Sequence, residues 1–315
     1  MSTKIYIYLC LLLAFAGMNA QDKNPLLADP TIFEYKGTYY LYGTKGDHEI
    51  KGEGFLVYTS TDLKNWKRPD GAANGFALKK GDAYGDKGFW APQVFERNGK
   101  FYMAYTANEQ IAIATADSPL GPFKNDGKPL ASDVRQIDPF IFFDNGKVYM
   151  YHVRLDKGNR IFVAEMENDL SAIKPATLKE CIHATEHWED TEKVEWTVTE
   201  GPTVLKKDNL YYLIYSANDF RNKDYAVGYA TSKSPYGPWD KNNNSPFIST
   251  DILKFPGTGH GDVFYDKKGN MYYVFHTHFS ETEVAPRKSA IVPIRLKNGK
   301  LQIQKGKSMF WLVTN

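Results

Sequence analysis

A phrase recurs five times along the chain, and that recurrence limits the fold more than any other feature of the sequence. Its versions are DPTIFEYKGTYYLYGT from Asp29, APQVFERNGKFYMAYTA from Ala91, DPFIFFDNGKVYMYHV from Asp138, GPTVLKKDNLYYLIYSA from Gly201 and GDVFYDKKGNMYYVFHT from Gly261. Each begins with a small or acidic residue. An apolar pair, a turn rich in Gly, Asn or Asp, and an aromatic strand follow. The first residues are 62, 47, 63 and 60 positions apart. Self-similarity with a period of tens of residues marks a repeat architecture, in which one supersecondary unit is used several times.

Within each repeat the phrase reads as a hairpin. Residues 139–143 and 147–151 flank Asp144-Asn145-Gly146, and Asn-Gly is a strong hairpin turn signal. The second halves also match one another: GFLVYTSTDLKNW, IAIATADSPLGPF, RIFVAEMENDLSA, YAVGYATSKSPYGPW and SAIVPIRLKNGKL. These read as strand, turn, strand, with Gly and Pro as punctuation. No long helical period appears after the N-terminus. Four short strands per repeat and five repeats predict an all-β fold, a five-bladed β-propeller. Segments 66–89 and 175–199 interrupt the rhythm, and long loops on a rigid repeat scaffold usually shape a binding face.

The first twenty residues have a different character. Lys4 precedes an apolar run over 5–16, and Ala20 stands before polar Gln21. This predicts a signal peptide over 1–20, with the remainder, 21–315, as one propeller domain exported to the periplasm or beyond the cell. The run is too short to span a membrane. Removing it leaves Cys181 as the only cysteine, so no internal disulfide can form. A formal net charge of +2 gives no argument for a nucleic-acid partner. The sequence assigns no oligomeric state.

In a propeller the innermost strand of each blade lines the central channel. If each phrase opens such a strand, Asp29, Asp138 and Glu200 surround one space despite their separation in sequence. Three carboxyl groups around a pocket suit glycoside hydrolysis, in which one carboxylic acid protonates the leaving oxygen and one carboxylate activates water or attacks the sugar. A third acid near the general acid raises that acid's pKa by like-charge repulsion. The competing reading makes Asp29-Pro30 and Asp138-Pro139 simple turn residues.

The segments ADPTI at 28–32, FWAPQV at 89–94, IDPF at 137–140, TEGPTV at 199–204 and GTGHGDVF at 257–264 resemble glycoside hydrolase family 43. The resemblance runs over about 24–300 and touches every repeat. It implies a five-bladed propeller and an inverting glycosidase acting mostly on arabinose- and xylose-containing polysaccharides. It implies Asp29 as the general base, Glu200 as the general acid and Asp138 as the residue that tunes and orients the acid. In an inverting enzyme, base and acid stand roughly 6.5–9.5 Å apart, which leaves room for water.

The resemblance also suggests that His260 holds a calcium ion, often through water. The alternative is a histidine hydrogen-bonded to a catalytic carboxylate, because calcium prefers oxygen ligands. Arg287 matches an arginine that contacts substrate hydroxyls, and Trp90 a pocket wall that could stack on sugar. His276 and His278 share a strand face; a metal pair is one reading, and strand histidines facing a polar channel are the commoner one. His183 and His187 lack the glutamate of a zinc motif. His48 and His152 are further candidates for the pocket. The doubled aromatics Tyr39-Tyr40, Tyr211-Tyr212 and Tyr272-Tyr273 read as packing between blades. The expected activity is release of terminal α-L-arabinofuranosyl or β-D-xylosyl units from a polysaccharide or oligosaccharide. Endo-acting arabinanase or xylanase action and a non-catalytic carbohydrate-binding propeller are the alternatives.

Overall fold

The structure, a computed structural model, describes residues 24–45, 53–72, 74–304 and 306–314. The expected signal peptide and His48 lie outside them. Five antiparallel sheets succeed one another along the chain. Their innermost strands are Leu27–Tyr35, Trp90–Arg97, Gln136–Asp144, Thr199–Lys207 and Gly259–Tyr265. Each pairs with the next strand in sequence: Thr38–Lys45, Lys100–Ala107, Lys147–Leu155, Leu210–Ala217 and Met271–Thr277. Two-residue turns join them in blades 1 to 4 and a five-residue turn, residues 266–270, joins them in blade 5, each falling where the repeated phrase places Gly, Asn or Asp. Apart from one four-residue helix at Thr250–Leu253 and two short 3-10 turns, the regular structure described is strand.

The expectation of four strands in every blade is corrected. Blades 3 and 4 have four, but the sheets of blades 1 and 2 have three. Their outer position is reduced to single bridges, Thr59 to Lys67 and Thr115 to Lys124. In blade 2, Pro119 and Pro122 remove the backbone donors that an outer ladder would need. In blade 1, part of segment 66–89 turns back instead, and its strand Phe76–Lys79 pairs with Gly54–Leu56. Segment 175–199 is likewise not all insertion, because Lys179–Ile182 is the outer strand of blade 3. The end of the chain closes the ring. Phe310–Trp311 pairs with blade 5, and Val313–Thr314 runs parallel to Asn65–Trp66 of blade 1.

The core is divided into five wedges, one in each seam between neighbouring blades. Successive strand residues point to opposite faces. A doubled aromatic therefore puts one ring into each of two seams. Tyr39 packs between blades 5 and 1, and Tyr40 between blades 1 and 2. Tyr272 and Tyr273 divide in the same way between two clusters. Each buried ring removes about 150–250 Å² from water. At about 25 cal/mol per Å² that contributes on the order of 4–6 kcal/mol before entropy is charged against it. Cys181 is a free thiol, so burial and strand pairing hold the ring.

Candidate active site

The five inner strands share one irregularity near their start. In each, the strand register shifts: between Ala28 and Thr31, Trp90 and Gln93, Ile137 and Phe140, Glu200 and Thr203, and Gly259 and Gly261. The residue inside each bulge has positive φ: Asp29 47°, Ala91 45°, Asp138 55°, Gly201 59° and His260 38°. These five form the ring at one end of the channel. His260, not Gly261, is therefore the equivalent of Asp29 in blade 5, one position earlier than the repeated phrase suggests. In blades 1 to 4 the next residue has no ladder partner, whereas in blade 5 it pairs with Phe275. Four blades place proline there, which loses nothing by lacking an N–H. Blade 5 places Gly261, where a Cβ would lie 1.7 Å from the Val274 carbonyl oxygen. Left-handed backbone at a non-glycine residue costs on the order of 1–3 kcal/mol and concentrates at functional sites.

The bulges point their N–H groups into the seams, and the preceding blade's second strand meets them. Ala91 N–H donates to Thr44 Oγ1 (2.9 Å), Asp138 N–H to Thr106 Oγ1 (2.9 Å), His260 N–H to Ser216 Oγ (2.8 Å) and Asp29 N–H to His276 Nδ1 (3.1 Å). These acceptors occupy equivalent register positions. In blade 3 the equivalent residue, paired with Ile137, is Val153, which has no acceptor. The Gly201 N–H donates instead to Asp138 Oδ2 (3.2 Å). The one seam lacking a side-chain cap thus holds the carboxylate of Asp138 in place.

Asp29 is surrounded by groups that favour its charge. Thr44 Oγ1 donates to Oδ2 (2.6 Å), Arg287 Nη1 donates to Oδ1 (3.3 Å), and His260 Nδ1 lies 3.3 Å from Oδ1. Burial opposes ionisation, but Arg287, His260, His276 and the Thr44 hydroxyl outweigh it and hold the carboxyl well below the usual carboxylate range. His276 is fully buried beneath it. Asp29 N–H donates to Nδ1 (3.1 Å), which leaves the single proton of the ring on Nε2, 3.2 Å from Arg287 Nη1. Burial and Arg287 keep the ring neutral.

Glu200 and Asp138 behave in the opposite way. Burial, then the charges of Asp29 and Asp219, push Glu200 up to about 7, against hydrogen bonds from Tyr225 and Asn159. Tyr225 OH donates to Oε1 (2.8 Å) and Asn159 Nδ2 to Oε2 (3.1 Å). Burial and the neighbouring Glu200 and Asp29 also raise Asp138 well above its ordinary value. The sequence reading credited Asp138 with keeping the acid protonated. In the structure burial is the largest cause, and the two carboxyls titrate as a pair. The site therefore combines one carboxylate held ionised with one carboxylic acid poised near neutrality.

The other expected residues fall as follows. Arg287 reaches Asp29 and lies 4.4 Å over the Phe220 ring. Trp90 occupies the register position that Glu200 occupies in its own blade, and its indole is partly exposed. His278 belongs to blade 5 structure, with Nε2 2.8 Å from the Phe220 carbonyl oxygen. His183 is paired with Glu180 near the surface, and His187 lies in the 183–198 loop before Glu200. His152 is buried in blade 3 with both ring nitrogens unpartnered, and burial lowers its pKa to about 3.

Four participants had no recognisable signal in the sequence: Thr44, Asn159, Tyr225 and the capping role of His276. Asp262 did have one, as the acid of the GHGD segment. It is the next carboxyl down the channel, accepts from Thr31 Oγ1 (2.7 Å), and is raised to about 6 by burial. A cavity of about 30 Å³, room for one or two waters, lies between it and the ring. The donor set does not make a protein-ligated calcium site. His260 offers a ring nitrogen to a cation that wants six to eight oxygens. No group of three His, Cys, Asp or Glu side chains among the described residues is arranged around a metal.

A five-bladed propeller with buried carboxyl groups of opposed surroundings at one end of its channel has the pair of acids that glycoside hydrolysis needs, and its match to a glycosyl hydrolase family places it in that class. The chain belongs to glycosyl hydrolases family 43, whose model matches residues 23–301. A solved structure described as endo-1,4-β-xylanase from Bacteroides thetaiotaomicron superposes with a TM-score of 0.86 at 42% identity, covering 94% of this chain and 99% of that one. Among curated proteins, a β-D-galactofuranosidase of Aspergillus niger is 24% identical over 291 residues, 85% of this chain and 80% of that protein. A xylosidase/arabinosidase of Butyrivibrio fibrisolvens is 26% identical over 263 residues, 80% of this chain but only 50% of its own length.

Proposed function

We propose that the chain is an inverting glycosidase that releases terminal α-L-arabinofuranosyl or β-D-xylosyl units, with Asp29 as general base and Glu200 as general acid. The observation that carries this reading is the opposed surroundings of the two groups: Arg287, His260 and the Thr44 hydroxyl crowd Asp29 and favour its ionised form, while Glu200 is buried with only Tyr225 and Asn159 as hydrogen-bond donors and is raised to about 7. Asp29 takes a proton from water as the water oxygen bonds to the anomeric carbon. Glu200 gives its proton to the glycosidic oxygen as the bond to the leaving group breaks. Asp29 ends protonated and Glu200 ionised, and exchange with solvent restores both. Asp138, held by the Gly201 amide, orients the acid side of the pocket. Arg287 and Trp90 are placed to meet the sugar. Calcium at His260 would have to be held through water, and no step here depends on it. The character of residues 1–20 supports export.

A second reading, endo action on a β-1,4-linked xylan backbone, draws support from the 42% identity to the protein described as an endo-1,4-β-xylanase. A panel of nitrophenyl glycosides, arabino-oligosaccharides and xylo-oligosaccharides tests both. Release of single sugars supports exo action, and a ladder of shorter oligomers supports endo action. Proton NMR of the first product should show the opposite anomer from the substrate. Glu200→Ala and Asp29→Ala should each lose about 10³-fold or more of the activity, in the range of removing a catalytic acid or base together with its positioning. Hydrolysis undiminished in both variants would refute the assignment.

A further inference from the structure

Trp196 is an exposed indole on the loop that leads to the acid, with 46% of its surface open to solvent. Its Nε1–H donates to Asn159 Oδ1 (2.9 Å), and Asn159 Nδ2 donates in turn to Glu200 Oε2 (3.1 Å). Asn159 also ties down the loop backbone, its N–H donating to the Thr197 carbonyl (2.8 Å). Further back, the loop is pinned by Glu189. This fully buried carboxylate accepts from the Thr185 and Glu186 amides, the Tyr215 hydroxyl and Lys241 Nζ. The indole is therefore fixed in orientation. Its one polar atom faces inward and is satisfied, and a large apolar surface is left facing water. A held aromatic ring of that kind suits the C–H face of a sugar.

Position decides which sugar. Glu200 protonates the oxygen that departs, so the ground on its outer side belongs to the leaving group. We propose that Trp196 is the stacking platform of the leaving-group subsite, taking the first pyranose or furanose ring on the reducing-end side of the scissile bond. This rests on the assignment of Glu200 as general acid. It adds a specificity element that the ring of carboxyl groups does not contain.

Two substrates with the same glycosyl unit separate the platform from the catalytic centre: an unsubstituted oligosaccharide, and the corresponding glycosyl fluoride, whose leaving group has no ring to stack. Trp196→Ala should lower kcat/KM for the oligosaccharide about tenfold, mostly through KM, and leave the fluoride within about twofold of wild type. Trp196→Phe, which keeps an aromatic face but loses the N–H, should stay within about threefold on the oligosaccharide. If Trp196→Phe is as impaired as Trp196→Ala, the indole acts only by steadying Asn159 and Glu200, and the platform is overturned. Equal losses on both substrates, or no loss on either, overturn it as well. Failure of the wild type to hydrolyse either substrate would instead remove the glycosidase reading on which the platform rests.

Discussion

The amide of Gly201 donates to Asp138 Oδ2 over 3.2 Å because Val153, alone among five equivalent residues, offers that amide no acceptor. Thr44, Thr106, Ser216 and His276 cap the other four bulges. The break in the pattern falls beside Asp138, the acid proposed to orient the Glu200 side of the pocket. It makes a backbone group, fixed by the strand, the partner of a carboxylate that must not wander.

Val153→Thr restores the missing cap. The new hydroxyl would take the Gly201 N–H and displace the Asp138 carboxylate from it. We expect kcat to fall about tenfold with KM little changed, and the melting temperature to stay within a few degrees of wild type. Wild-type kcat in this variant would show that the contact between Gly201 and Asp138 is incidental.

Tyr225→Phe removes a donor from Glu200 Oε1. That donor stabilises the ionised form, so its loss raises the pKa of Glu200 above about 7. The alkaline limb of the kcat/KM profile should move upward by about one unit, equivalent to about 1.4 kcal/mol. A limb that stays in place or moves down would contradict Glu200 as the group whose deprotonation ends activity.

Glu200→Gln should be inactive and more stable than wild type at alkaline pH. The folded-state pKa of Glu200 is raised, so the unfolded chain releases this proton at lower pH than the folded one. The group therefore destabilises the fold increasingly from about pH 4.5 up to about pH 7, and by a constant amount above that. The difference in unfolding free energy between variant and wild type should be small at pH 4.5 and on the order of 3 kcal/mol at pH 8. Urea unfolding at the two pH values measures it, and a difference independent of pH would mean that Glu200 is not strained by burial.

The architecture was legible in the sequence because its signals are local. A strand, a two-residue turn and a second strand are specified by neighbours a few residues apart, and Asn145-Gly146 or the Tyr211-Tyr212 pair can be read where they stand. Five copies of that unit imply the propeller, and the acids at the heads of the inner strands imply the pocket containing Asp29, Asp138 and Glu200. The number of outer strands in blades 1 and 2 was misread because prolines and segment 66–89 divert an edge that has little core behind it. The head of the fifth repeat was misplaced by one residue because glycine, not proline, follows His260 there, so the acid-or-small residue plus proline that marks the other four heads is missing.

The charge state of the site could be decided only by the tertiary structure. Coulomb energy and desolvation depend on distance and burial, not on position in the chain. Arg287 lies 258 residues from Asp29 in sequence and His276 lies 247 residues away, yet both touch it. Asn159 and Tyr225 carry no motif that marks them as partners of Glu200. The repeated phrase places three carboxyl groups at one end of a channel. The packing of five blades decides that one of them stays ionised while another keeps its proton.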